Sequence, residues 1–157
     1  MNTGQATKVV ALNSPGTQAT NATSWHYVDT LGFSRLRLDA IAPAATATNS
    51  SAKWVSMVVG HGATTAVAAH TAISGGTGTT SATASSTQFI LPAYNNTVTP
   101  YVVSFDVPLY DKERYISCQV TAPADHSNIA IVATLYEAAT GPNTAAENGA
   151  AVMTILS

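Results

Sequence analysis

Charge is scarce in this chain. Of its 157 residues only 9% are Asp, Glu, Lys or Arg, against roughly 25% in an ordinary soluble domain. The net charge is −2 and the six basic residues form no stripe. Nucleic-acid binding requires many phosphates to be neutralised together, so DNA and RNA are set aside as partners. A single cysteine, Cys118, excludes an internal disulfide; lying in an alternating segment, it reads as a small buried hydrophobe rather than a nucleophile. Long apolar runs are also missing. The longest, such as VSMVVG and IAIVATLY, fall well short of the roughly eighteen residues a spanning helix needs, so no membrane association is expected. The opening MNTGQATKVVAL has too short an apolar stretch for a signal-peptide core, which points to synthesis in the cytoplasm.

What the chain has in abundance is Ala, Thr and Ser, roughly two-fifths of the total, more than the average usage of globular domains would supply. Short alternating segments are set into this background. The clearest is Trp25–Ile41, read as a hairpin-like unit of two paired strands with a corner at Leu31-Gly32. Leu36, Leu38 and Ala40 fall on one side of its second half, and Arg35, Arg37 and Asp39 on the other. Further strands are expected at 8–12, 53–60, 88–91, 101–109, 115–121, 128–137 and 151–156. Val55, Met57 and Val59 are expected to share one face, and 101–109 to anchor the second sheet. Pro43, Pro92 and Pro123 end three of these runs, and Gly, Pro and Asn punctuate the rest.

This pattern predicts one all-β domain, an antiparallel β-sandwich over residues 8–157. A jelly roll is the preferred topology and an immunoglobulin-like sandwich the alternative. Residues 1–7 (Met1, Asn2, Thr3, Gly4, Gln5, Ala6, Thr7) are polar and without period, and read as an arm outside the fold. Residues 61–87 form a long excursion with almost no large side chains, within which AVAAHTAI has the length for two helical turns. A structureless loop of this length is improbable in a compact domain unless something outside the subunit orders it. Ala66, Val67, His70 and Ile73 are therefore the candidate subunit contacts, and a homo-oligomer, preferably a trimer, is expected.

No residue pattern in the chain points to catalysis. His26, His61, His70 and His126 lack second ligands at zinc spacing. There is no GxSxG elbow among the fourteen serines. Asp106, Asp111 and Glu113 alternate with Lys112 and Arg114 and read as a salt-bridged, solvated corner rather than a glycosidase pair. Glycines 75, 76 and 78 form no phosphate-binding loop. Neither a cofactor nor a metal is expected. Trp25, Tyr27, Trp54, Tyr94, Tyr101 and Tyr110 are available as sugar platforms, although packing is the commoner use of aromatics on strands.

Taken together, DTLGF at 29–33, NSSAKW at 49–54, KERYI at 112–116 and NTAAE at 143–147 resemble the β-sandwich auxiliary proteins that decorate or cement the capsids of tailed bacteriophages. The resemblance implies a non-enzymatic virion protein on the outer shell, bridging copies of the major capsid protein, with residues 1–7 as the capsid-contact arm. The alternative is a tail-associated receptor- or carbohydrate-binding module.

Overall fold

A computed structural model describes residues 7–13, 16–17, 22–42, 54–79, 88–91, 101–121 and 128–138. Ten strands are formed by these residues and they assemble into two sheets. Sheet one contains β1 (Thr7–Ala11), β10 (Asn128–Ala138), β4 (Phe33–Ala42) and β8 (Tyr101–Pro108) in that spatial order, with the two-residue β2 (Gly16–Thr17) paired to β10. Sheet two runs β3 (Thr23–Asp29), β9 (Tyr115–Thr121), β5 (Ser56–Gly62), β6 (Thr71–Thr79) and β7 (Gln88–Ile90). Every pairing is antiparallel except that of β6 with β7. The chain is an all-β sandwich, as its alternating segments predict.

One core lies between the sheets. Sheet one contributes Leu36, Leu38 and Ala40 from β4 and Ile129, Ile131, Ala133 and Leu135 from β10; sheet two contributes Met57, Val59, Ile116, Cys118 and Val120, all at most 1% exposed. Each of the larger side chains contributes about 1.5–3 kcal/mol by leaving water. A one-residue slip of β4 would exchange its leucines for Arg35 and Arg37, so the register has a single solution. Burial pushes the Cys118 thiol up to about 12, which fits the small buried hydrophobe expected there. Among the described residues no helix is long and apolar enough to cross a membrane.

Several expectations are corrected. Residues 25–41 do form two strands with a corner, but β3 and β4 do not pair with each other: β3 hydrogen-bonds to β9, and β4 to β10 and β8. Alternation reports which side of a strand is dry and says nothing about its partner. Crossing the chain from one sheet to the other lets both dry sides meet face to face. The crossing is fixed by Thr30, whose hydroxyl and amide both donate to the Arg114 carbonyl, at 2.7 and 3.0 Å. Gly32, at φ +87°, supplies the left-handed step.

β8 belongs to sheet one, where it is an edge among the described residues, and does not anchor sheet two. Val55 sits exposed in a bend before β5, while Trp54, expected opposite, is buried at 2%. Of the excursion at 61–87, residues 61–79 are ordered within the subunit, and 80–87 lie outside the described residues. Its first two residues close β5, Val67–Ala69 form a single 3-10 turn in place of the longer helix, and Thr71–Thr79 form β6. Thr7 belongs to β1, opposite Tyr136, and not to the arm. The closing strand expected at 151–156 lies outside the described residues.

The two faces of β4 make a direct test. Leu38→Asp places a carboxylate in a fully buried position and should abolish soluble, folded protein. Arg37 is exposed and pairs with Asp39 at 3.0 Å on the wet face, so Arg37→Ser should leave yield and melting temperature close to those of the parent. Equal behaviour of the two variants would show the faces to be reversed.

Candidate interaction surface

Three corners meet at one end of the sandwich. The β3–β4 corner (30–32) and the β8–β9 corner (109–114) are held together by the Thr30–Arg114 bonds and by Arg114 gripping Asp29 with two bonds, Nε–Oδ1 at 2.9 Å and Nη2–Oδ2 at 2.6 Å. The third, residues 63–70, leaves from Gly62, which is opposite Tyr115 at the foot of the same corner. Thr7 and Ala138, paired with Tyr136 and Phe33, emerge at this end too.

Charged groups here are paired. Arg114 holds the Asp29 carboxyl below the usual carboxylate range, chiefly through its hydrogen bonds. Lys112 bridges Asp111 at 2.5 Å, and Glu113 lies 3.6 Å from His61 while its backbone amide donates to His61 Nδ1. The salt-bridged corner expected from the sequence is thus formed by Asp111, Lys112, Glu113 and Arg114. Asp106 lies elsewhere, on the outer face of sheet one, where it accepts from Arg35 at 2.7 Å and from the Tyr136 hydroxyl at 2.6 Å. That hydroxyl is held above its ordinary pKa by the bond to Asp106. Between the paired charges stand two large apolar tips, Tyr110 at 86% and Leu31 at 68% exposed; Val67, on the 63–70 segment, is 49% exposed.

The expected contact residues separate into two kinds. Ala66 and Val67 are exposed at the tip of the 63–70 segment. His70 and Ile73 serve the subunit itself. Ile73 packs against the core from β6. His70 bonds through Nε2 to the Thr64 carbonyl at 2.7 Å and rests against Tyr27 and Trp25, with ring centroids 5.0 and 6.4 Å away. It folds the segment down onto the outer face of sheet two. Gly62 makes room for this: a Cβ there would lie 2.8 Å from the Ala69 carbonyl oxygen and 2.9 Å from the His70 ring. Under this cover Tyr27 Oη, Ser117 Oγ and His70 Nδ1 are buried without hydrogen-bond partners.

Met1–Ala6, His126 and Tyr94 lie outside the described residues. Among the described residues no group of three or more His, Cys, Asp or Glu side chains is placed to hold a metal ion. Leu31 and Tyr110 were not singled out by sequence as contacts. Leu31 served only as a corner marker and Tyr110 as one aromatic among six; the available signal was a bulky apolar residue at the apex of a polar turn, a position that no core needs. The chain matches no protein-family model, and no curated protein matches it.

Gly62→Ala should dislodge the 63–70 segment, because the obstructing atom is a backbone carbonyl rather than a flexible side chain. The expected result is faster proteolysis and hydrogen exchange across 63–70 with a lower melting temperature. Exchange unchanged from the parent would mean that the segment is not seated on Gly62.

Proposed function

We propose that this chain is a structural virion protein that decorates or cements the capsid of a tailed bacteriophage, bridging copies of the major capsid protein on the outer shell as a homotrimer after synthesis in the host cytoplasm. The observation that carries the reading is the end of the sandwich just described. Leu31 and Tyr110 present apolar area there at strongly exposed positions, the neighbouring charges are already neutralised in pairs, and the chain leaves Ala138 and reaches Thr7 at the same end. Apolar anchors surrounded by satisfied polar groups are how a contact patch is commonly built. In this reading Met1–Ala6 form an arm that adds to the capsid contact.

The topology lends support. Leaving out the short β2 and β7, the eight remaining strands interleave so that the first and last are neighbours in sheet one and the second and seventh are neighbours in sheet two. An immunoglobulin-like sandwich places its last strand in the sheet opposite its first. The order found here favours the jelly roll, an architecture used in viral capsids and also in lectins. One observation speaks for the second reading, a carbohydrate- or receptor-binding module: Trp25 and Tyr27 lie nearly parallel, at 11° with centroids 6.4 Å apart, on the outer side of β3.

The proposal is tested with Leu31→Asp/Tyr110→Asp. Both sites are exposed, so the melting temperature of the variant should match that of the parent while binding to undecorated heads falls by more than about tenfold, the loss expected from removing hot-spot anchors. Head binding equal to that of the parent would reject this end as the contact. Parent protein that never binds heads, but whose Trp25 emission responds to oligosaccharide, would establish the second reading.

A further inference from the structure

On β9 the residues that face away from the core are Tyr115, Ser117, Gln119 and Thr121, and of these Ser117 alone is buried, at 0% exposure. The register shows what surrounds it. Tyr27 of β3 is directly opposite on one side and Gly60 of β5 on the other. Gly60 has no side chain to interpose: a Cβ there would lie 3.2 Å from Ser117 Oγ and 2.9 Å from the Thr71 carbonyl oxygen. His70 comes over this row from the 63–70 segment, its ring 5.0 Å from that of Tyr27 and its Nε2 fixed by the 2.7 Å bond to the Thr64 carbonyl. Four buried side-chain polar atoms lack a hydrogen-bond partner among the described residues, and three of them, Tyr27 Oη, Ser117 Oγ and His70 Nδ1, belong to this one place. Buried polar groups of native proteins are paired, either with protein or with ordered water.

We propose that Tyr27 Oη, Ser117 Oγ and His70 Nδ1 form an internal site for a single water molecule, which ties the 63–70 segment to sheet two. The count of donors and acceptors selects this guest. A carbonyl only accepts, so Nε2 of His70 carries the hydrogen in its bond to Thr64, and Nδ1 of the neutral ring is an acceptor. The hydroxyls of Tyr27 and Ser117 can each give or receive. A water donates one hydrogen to Nδ1 and the other to one hydroxyl while accepting from the second hydroxyl, which makes the roughly three bonds usual for a buried water. An ion suits the site poorly, because none of the three groups brings a charge to balance it and an unpaired buried charge is far costlier than a neutral guest. An apolar guest would leave all three atoms unpaired. The position also gives the water a task. Residues 63–69 are exposed, and the hydrogen bonds that shape them run within the segment: Ala66 N–H to Thr64 Oγ1, Ala69 N–H to the Ala66 carbonyl and His70 N–H to the Val67 carbonyl. His70 is the one residue of 63–70 that is not exposed. The water therefore adds a polar link to sheet two beside the ring contacts of His70 with Tyr27 and Trp25.

A crystal structure of the full chain that shows ordered solvent is the direct test. The expected result is one water peak within about 2.7–3.2 Å of Tyr27 Oη, Ser117 Oγ and His70 Nδ1, and its loss in Tyr27→Phe/Ser117→Ala. Direct hydrogen bonds among the three atoms, a protein group in the place of the water, or an empty site would overturn the proposal. Oxygen-17 relaxation dispersion of the solvent gives the same answer without crystals, since it counts long-lived internal waters: the parent should hold one more than the double variant, and equal counts would contradict the site. Where the double variant does not fold, Tyr27→Phe alone decides, because it removes only a hydroxyl. Hydrogen exchange at the Ala69 and His70 amides should then rise about fivefold, the factor for losing one ordinary hydrogen bond, while that of β10 stays unchanged. Exchange equal to that of the parent at Ala69 and His70 would count against a link through the water.

Discussion

Everything in this molecule depends on two apolar sheet faces being pressed together. Sheet one offers the inner side of β4 and β10, sheet two that of β5 and β9, and neither face has a second covering element among the described residues. A sheet with one dry side is not stable alone in water, so each sheet is the condition for the other. The corners follow from this. The chain passes from β3 to β4 and from β8 to β9 by crossing between sheets, and Thr30, Asp29 and Arg114 tie these two crossings together.

With the interior assigned to large aliphatic side chains, the small residues are used outside it. Gly62 lets the 63–70 segment lie on sheet two, at the expense of three polar atoms buried without partners among the described residues. Leaving such an atom unpaired costs about 1–3 kcal/mol, so packing of Trp25, Tyr27 and His70 has to offset it. The charged residues are spent on short, exposed pairs that contribute little to stability individually but leave few unpaired charges around the apolar tips. A surface of this kind is suited to repeated contact with other subunits, and the proposed shell role uses that property rather than any reactive group.

Much of the fold was legible in the sequence. The alternation of Leu36, Leu38 and Ala40 identified the buried side of β4 directly, and all three are buried in the core, as is Cys118, read as a small buried hydrophobe; the 128–137 segment is apolar on both sides, and its pattern alone did not say that Ile129, Ile131, Ala133 and Leu135 are the buried set. Partnership was not legible, because a period of two carries no information about the neighbouring strand; hence the hairpin expected of β3 and β4 gave way to a crossing. β6 escaped notice for a different reason. TAISGGTGT has one large apolar residue, Ile73, and takes its place through backbone pairing with β5 and β7, for which composition leaves no trace. Of the candidate contacts, Ala66 and Val67 are exposed, while His70 rests on the aromatic surface of Trp25 and Tyr27 and Ile73 packs against the core, because an imidazole and a branched aliphatic side chain found such surfaces within reach.

The central claim is that the two sheets form one cooperative unit whose rigidity positions the corners. Native-state hydrogen exchange in increasing denaturant tests it most directly. The account predicts that core amides of β4 and β10 in one sheet and of β5 and β9 in the other share a single opening free energy, equal to that of global unfolding, with the short β2 and β7 opening earlier. Two separate opening free energies, one for each sheet, would contradict it.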